Sequence, residues 1–498
     1  MNTKYKIFIC LITVLLIVTS VVTASPYAQA KQQIKTSKSV VSDAHGLHDI
    51  IDIAYDGLTT NTVALQEDGT IWYWLGGGKA KQGPTIEGAI QVTGGNLVLK
   101  KDGTVWEWDK NTHEVTPVTE LNNIVELQSN DGYDSTALAL DKNNTLWVKG
   151  NSKVALMVLG KALNADTTDS SSQLEKEKVL NFERGLEHIQ TMTIAMNGDI
   201  GIVKQDGTIE HYYYKYDYPK PEQGKFTYRL PKPLLIKDIH LQVTFDRFND
   251  GYLNLITVVA HDGSAWYGAY EKTLKRFYEP KVKLVSTSGS QISRGGFSEL
   301  YALDLQGNLM GIEMTQDSKE RYSNNTIKYS NIKNIKKVIS RWQNSALALK
   351  KDGTVWEWGP NKDSYQDYLF LTSLEEKIQP TPIEKEISVY WNGQRLPLSS
   401  QPVMKKSLML PMRELFEAFG SEVKYNDGNI VIKQGKKIMQ LKIYSHDAIL
   451  DGKRMKLTEA PIYIDGKTYV PLRFVAQSLG AGVAWDAKEQ VATIKYSN

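Results

Sequence analysis

Ala346-Leu347-Ala348-Leu349-Lys350-Lys351-Asp352-Gly353-Thr354-Val355-Trp356-Glu357-Trp358-Gly359 decides the fold, because the same chain has already written it twice. Ala64-Leu65-Gln66-Glu67-Asp68-Gly69-Thr70-Ile71-Trp72-Tyr73-Trp74 and Leu97-Val98-Leu99-Lys100-Lys101-Asp102-Gly103-Thr104-Val105-Trp106-Glu107-Trp108 carry the same pattern. Weaker copies centre on Asn143-Asn144, Asp206-Gly207, Asp262-Gly263 and Gln306-Gly307, which brings the number to seven. Each reads as two short alternating strands about a two-residue turn, and Asp-Gly or Asn-Asn suits a type I′ hairpin with both central residues at positive φ. The spacing of an Asp-x-Asp-x-Asp calcium loop is absent, so the aspartates are read as turn formers. The paired tryptophans, such as Trp106 and Trp108, fall on one strand face, where they are expected to pack against the next sheet.

Turn centres lie tens of residues apart, which fits four-stranded units with variable loops, and seven such sheets can stack radially with few exposed edges. The expected fold class is mainly β: a seven-bladed β-propeller over residues 47–360 and a small duplicated α+β domain over 387–498. The Ala-Leu-x-x-Asp-Gly-x-Val-Trp-x-Trp-Gly strings resemble the bacterial repeats of the regulator of chromosome condensation family. They are strong in the first two copies and the last. The family's Gly-Gln-Leu-Gly segment is missing, with Val158-Leu159-Gly160 a faint echo. The resemblance implies the propeller and not nucleotide exchange, since fold does not carry function.

Insertions between hairpins supply the loops on which a propeller's function is expected. Residues 161–188, with the polar run Asp166 to Lys178, read as a loop or short helix. Residues 211–221 carry Tyr212, Tyr213, Tyr214, Tyr216 and Tyr218 with two lysines. That composition suits stacking on sugars or gripping a peptide, which makes the five tyrosines the candidate partner-binding residues. The favoured conformation is nonetheless an extended strand continuing from Thr208, with tyrosines alternating between its faces.

At the start of the chain, Lys4 and Lys6 precede an apolar run from Ile7 to Val22, and Ala28-Gln29-Ala30 offers a small-x-small site. Residues 1–30 are expected to be a secretory signal cleaved after Ala30, followed by a linker over 31–46. Retention as an anchor is the alternative, although sixteen apolar residues fall short of the roughly 20 that span a bilayer. The single cysteine, Cys10, would leave with the leader, so an exported chain would rely on packing rather than disulfides. The formal charge of +3 would become +1, with acids and bases interspersed, which gives no nucleic-acid footprint. No later segment is apolar and long enough to be transmembrane.

Pro360, Pro380 and Pro382 mark a linker over 361–386. Beyond it, Leu408-Met409-Leu410-Pro411-Met412-Arg413-Glu414-Leu415-Phe416-Glu417-Ala418-Phe419-Gly420 aligns at an offset of sixty with Thr468-Tyr469-Val470-Pro471-Leu472-Arg473-Phe474-Val475-Ala476-Gln477-Ser478-Leu479-Gly480. Each half predicts a strand ending at proline, a helix of about two turns, a glycine cap and a hairpin. Arg413 and Arg473 stand at matched helix starts, where an ion pair or a cap is expected ahead of anion binding. The pattern resembles the stalk domain at the N-terminus of some copper amine oxidases, which also occurs in many exported proteins of bacilli. The oxidase chemistry is not implied. No Asn-Tyr dipeptide exists for a quinone cofactor, and the eight histidines include no His-x-His pair, so neither copper nor any other cofactor is expected.

These features predict a secreted or cell-wall-associated binding or scaffold protein, not an enzyme. Its propeller would recognise an extracellular protein or cell-wall polysaccharide, and its C-terminal module would provide spacing, adhesion or wall association. An extracellular enzyme acting on polysaccharide at the propeller channel, or an extracellular regulator of a partner protein, are the alternatives.

Overall fold

The computed structural model describes residues 46–55, 61–75, 78–130, 136–150, 152–161, 179–195, 197–215, 222–230, 234–246, 251–269, 274–276, 284–289, 297–316, 322–328, 332–340, 346–358, 381–464 and 466–496. The expected leader and linker over 1–45 lie outside them, as do Asp166 to Lys178. His45–Asn498 is one compact unit.

Among the described residues ahead of the C-terminal module, seven antiparallel four-stranded sheets follow one another, each made of four strands consecutive in sequence. Their first strands are Ile50–Tyr55, Ala89–Val92, Ile124–Asn130, Ile189–Ile194, Ile236–Asp246, Leu284–Gly289 and Ile335–Ser340. Neighbouring first strands pack together, the second and third sheets meeting through Leu97–Lys100 and the Gln91 side chain, and the seventh packs against the first, so the sheets close into a ring as a propeller does.

The repeated Asp-Gly turn explains how neighbouring sheets are joined. Only its glycine takes positive φ, as at Gly69, Gly103, Gly207, Gly263, Gly307 and Gly353, with Asn144 in the third sheet. The expected type I′ geometry is therefore replaced by a turn with one left-handed residue in its last position, closed by Gly69 N donating to Gln66 O at 2.9 Å. The aspartate side chain is engaged within the turn. Asp102 Oδ1 accepts from Thr104 N at 2.9 Å and Thr104 Oγ1 at 2.6 Å, and Trp106 Nε1 donates to that hydroxyl at 3.2 Å. The relay recurs through Asp262, Ser264 and Trp266, and through Asp352, Thr354 and Trp356. The hydroxyl and backbone donors of Thr104 hold the Asp102 carboxyl below its ordinary range.

At five of these turns the carbonyl of the left-handed residue then accepts from a backbone amide at, or just ahead of, the first strand of the next sheet. Ile86 N reaches Gly69 O at 2.9 Å, Ile124 N reaches Gly103 O at 3.0 Å, Ile189 N reaches Asn144 O at 2.9 Å and Ile335 N reaches Gly307 O at 2.9 Å. The ring closes on the same bond, Ile50 N to Gly353 O at 3.0 Å. A Cβ on Gly69 would lie 2.3 Å from Ile86 O, so this turn needs glycine for close approach as well as for φ.

Alternate positions of the third strands divide between neighbours. Trp72 and Trp74 join Leu347, Leu349 and Val355 of the seventh sheet, while Tyr73 meets Trp108 of the second with ring centroids 5.5 Å apart. Trp358 likewise meets Tyr301 of the sixth. These buried tryptophans pack against the preceding sheet rather than the next, because the strand's two-residue period sends the intervening residue forward.

The expected linker is partly propeller. Thr381–Pro382 is the outer strand of the seventh sheet, and Leu47 N donates to Ile383 O at 2.9 Å. Lys385, whose side chain is 0% exposed, donates to Glu489 of the C-terminal module at 2.7 Å and lies 3.0 Å from His48 Nε2, with its ammonium 4.9 Å from the Trp72 ring centre. Burial pulls its pKa below the usual lysine range against the support of Glu489. Arg395 Nη1 donates to Gln82 O at 3.1 Å, a second contact between module and first sheet.

Within the module, Leu410 pairs with Val470, its counterpart at the sixty-residue offset, so the two halves meet on a local pseudo-twofold axis. Helices Met412–Ala418 and Leu472–Leu479 pack Leu415, Phe416, Phe474 and Val475 into one shared core. Gly420 and Gly480 follow them at positive φ. Arg413 and Arg473 are exposed and make no ion pair among the described residues. The expected pairing falls instead to Glu414, which accepts from Ser399 N at 2.6 Å and from Lys467 Nζ at 2.8 Å.

Among the described residues a Cβ at Gly207 would meet nothing within 4 Å, so Gly207→Ala carries only backbone strain, about 1–2 kcal/mol. Gly69→Ala adds a backbone clash and is expected to cost about 1–3 kcal/mol more in urea unfolding. Lys385→Ala removes the buried ammonium but leaves Glu489 and His48 in contact with each other at 3.0 Å, and with Glu489 37% exposed it is expected to lower stability by about 1–2 kcal/mol in the same measurement.

Candidate binding site

The tyrosine-rich segment is a strand, Ile209–Lys215, the third of the fourth sheet. Tyr212 and Tyr213 are buried, at 7% and 6% exposure. Tyr212 packs in a core with helix Lys153–Val158, and its hydroxyl donates to Glu210 Oε2 at 2.9 Å. Burial and that carboxylate together push the Tyr212 phenol well above its ordinary pKa. Glu210 also accepts from Lys204 at 3.0 Å and Lys225 at 2.8 Å. Burial opposes ionisation of Glu210, yet these hydrogen bonds outweigh it and hold the carboxyl low. Tyr213 stacks on Phe226 with centroids 4.8 Å apart and planes 16° from parallel. The composition that suggested a stacking surface is thus largely spent on the sheet's own packing.

Tyr214 is half-buried and is oriented by Lys153, whose ammonium donates to the phenol oxygen at 2.7 Å and lies 4.5 Å from the ring centre. Ser152 starts that helix by accepting from Ala155 N at 2.9 Å and takes a hydrogen bond from Thr136 at 3.0 Å. The sequence offered little sign of this short helix beyond a serine before an apolar run. Tyr216 and Tyr218 lie outside the described residues.

A second constellation surrounds the ring axis and was not found from sequence. Each first strand carries a register shift near its start, as at Ile50/Asp52, Ala89/Gln91, Ile189/Thr191, Ile236/Asp238 and Ile335/Lys337. At Asp52, Gln91, Thr191 and Lys337 the residue after the shift is polar and reaches the neighbouring sheet. Lys337 Nζ donates to Asp52 Oδ1 at 2.7 Å and Ile53 O at 2.8 Å, and Asp52 Oδ2 accepts from Val92 N at 3.1 Å. Gln91 exchanges two bonds with the backbone of Leu127, at 2.9 and 3.1 Å. Thr191 Oγ1 lies 3.3 Å from Glu126. Desolvation raises Glu126 to about 7, against hydrogen bonds from Gln128 and Thr191 and with added repulsion from Asp238. The repeated apolar-x-polar-apolar opening, as in Ile50-Ile51-Asp52-Ile53 and Ile124-Val125-Glu126-Leu127, was the available signal.

The chemistry of this ring is cohesive. Its side chains stand in for hydrogen bonds that strands of separate sheets cannot exchange. Among the described residues no three His, Cys, Asp or Glu side chains converge as a metal site. Nor is any helix there long and apolar enough to cross a membrane.

Tyr213→Ala is expected to cost about 3 kcal/mol, the usual order for removing a buried ring. Tyr214→Ala is expected to cost about 1 kcal/mol. Chemical denaturation separates the two, and only the Tyr214 variant then reports cleanly on binding.

Comparison with solved structures finds Sqt1 of Saccharomyces cerevisiae at 10% identity and a TM-score of 0.39, covering 80% of this chain and 94% of that one. Hsv2 of Kluyvelomyces marxianus matches at 11% identity and a TM-score of 0.37, covering 64% and 95%. AofleA of Arthrobotrys oligospora matches at 12% and 0.32, covering 58% and 88%. No curated protein matches the chain. Residues 390–494 match the family model of the copper amine oxidase N-terminal domain, which identifies the duplicated C-terminal module as similar to that domain.

Proposed function

We propose that this is a secreted, non-enzymatic binding or scaffold protein, in which the propeller recognises an extracellular protein and the C-terminal module provides wall association. The observation that carries the reading is the unequal treatment of the two ends of the sheets. At one end every Asp-Gly or equivalent turn is short, and five of them are tied by a backbone hydrogen bond to the next sheet. The two longest connections, residues 151–178 and 359–380, both leave from the opposite end, where Lys153 and Tyr214 also lie. Loops that vary in length on a locked scaffold are where recognition is expected. The leader at Lys4 to Ala30 supports export.

The clamp at Lys385 favours a scaffold over a flexible tether, since the module is held against the first sheet by buried and charged contacts. Partner and wall would therefore be engaged in a fixed relation. The test is capture of surface proteins and sedimentation with insoluble cell wall by the whole chain. Lys153→Glu with Tyr214→Ala should abolish capture of a specific protein, whereas Lys101→Glu with Lys351→Glu, at the turn end, should leave it intact. Turnover of a wall polysaccharide by the purified chain, or loss of capture only in the turn-end variant, would overturn the proposal.

A further inference from the structure

The two halves of the C-terminal module use matching sheet faces differently. In the second half, Val491–Tyr496 is flanked by Ala481–Asp486 and by Ser388–Trp391. That sheet is turned to the propeller: Tyr390 Oη donates to Gln82 Oε1 at 3.4 Å, and Glu489 in its turn takes Lys385. In the first half the equivalent strand, Asn429–Gln434, lies in a sheet enlarged to five, Glu422–Asn426, Asn429–Gln434, Lys437–Lys442, Asp447–Leu450 and Lys453–Lys456. Its inner face is core, with Ile430, Ile432, Met439 and Leu441 buried.

Register defines the outer face. Lys424, Val431, Gln440, Ile449 and Arg454 form one cross-strand row, with Lys433 and Ile438 on one side and Asn429 and Lys442 on the other. Ile438 is 41% exposed, and Lys433, Gln440, Lys442 and Arg454 are also exposed. Lys424 and Lys456 have exposed carboxylate partners, Glu422 at 3.1 Å and Asp447 at 2.7 Å. Among the described residues, Lys433, Lys442 and Arg454 have no carboxylate within ion-pair distance. Where the first half has Lys424 and Lys433, the offset of sixty places Ala484 and Thr493 in the second. The positive charge is thus specific to the open half. Residues 387–498 hold sixteen Lys and Arg against ten Asp and Glu, so the module is basic while the rest of the chain is not.

We infer that this outer face binds a linear phosphodiester polyanion of the cell wall, an inference that rests on the wall-association reading above. Strands about 4.8 Å apart and same-face residues about 6.7 Å apart set the unpaired cations on a flat grid, roughly 10–15 Å from one another. Cations so far apart cannot converge on one compact anion, but they can meet well-separated, roughly alternate phosphates of an extended polymer. Val431, Gln440 and Ile449 between the charges offer contact to the uncharged links of the polymer.

The experiment uses the whole chain, with purified poly(glycerol phosphate), intact insoluble wall and wall chemically stripped of its phosphodiester polymers as probes. The unaltered chain should bind polymer and intact wall and lose most binding to stripped wall, and raising salt from about 0.05 to 0.5 M should weaken binding by about tenfold or more. Lys433→Glu with Lys442→Glu and Arg454→Glu should abolish polymer binding while leaving the unfolding midpoint and the propeller's protein capture unchanged. Lys433→Arg with Lys442→Arg should retain it. Equal binding to intact and stripped wall, or unchanged polymer binding by the charge-reversed variant, would overturn the inference and leave wall association standing. Binding to neither wall nor polymer would overturn both. A concentration-dependent dimer that the charge-reversed variant alone loses would assign the face to a second copy and also overturn it.

Discussion

A ring of separate sheets has no continuous hydrogen-bonded ladder around it, so something other than strand pairing must fix each sheet to the next. Here, at five of the joints, that role falls to the carbonyl of the left-handed turn residue, which accepts from a backbone amide at or just ahead of the first strand of the following sheet. The rest of the structure depends on this contact. It requires the backbones to approach so closely that glycine is needed at Gly69, Gly103, Gly307 and Gly353, and it closes the ring through Ile50 and Gly353 with the bond used elsewhere. Polar residues after several of the register shifts add a second tie nearer the axis, through Lys337, Asp52 and Gln91.

With both ties at the inner strands and one end of the sheets, the opposite end is free to vary. The 151–178 connection supplies helix Lys153–Val158, which covers Tyr212 and orients Tyr214. The C-terminal module is a continuation of the same scaffold: the segment after the seventh sheet passes across the first, buries Lys385 against Trp72 and hands its charge to Glu489. A buried lysine with one half-exposed partner is a conditional stabiliser, so the orientation of the module depends on retaining both groups.

The hairpin repeat, the duplication at an offset of sixty, the proline-started helices and their glycine caps were all legible as residues, because each is a local preference of backbone φ or of apolar periodicity. The sequence also carried the seven apolar-x-polar openings of the first strands, but they look like ordinary alternation until a register shift turns the polar residue toward a neighbouring sheet. The tyrosine cluster was legible as a strand or as a binding surface, and composition could not choose. Tyr212 and Tyr213 are buried only because Phe226 and a helix from the preceding sheet's connection cover them.

The chain by itself therefore determined its units: strand, turn, repeat number and the internal symmetry of the module, all set by short-range steric and hydrophobic rules. Tertiary structure alone decided that Thr381–Pro382 and Lys385 belong to the propeller rather than to a spacer. It also decided that Arg413 and Arg473 stand exposed while Glu414 and Lys467 pair, and that one of two matching sheet faces is used against the propeller while the other stays open. Those outcomes depend on which surfaces meet across long sequence separations, and residue type and spacing leave that choice open.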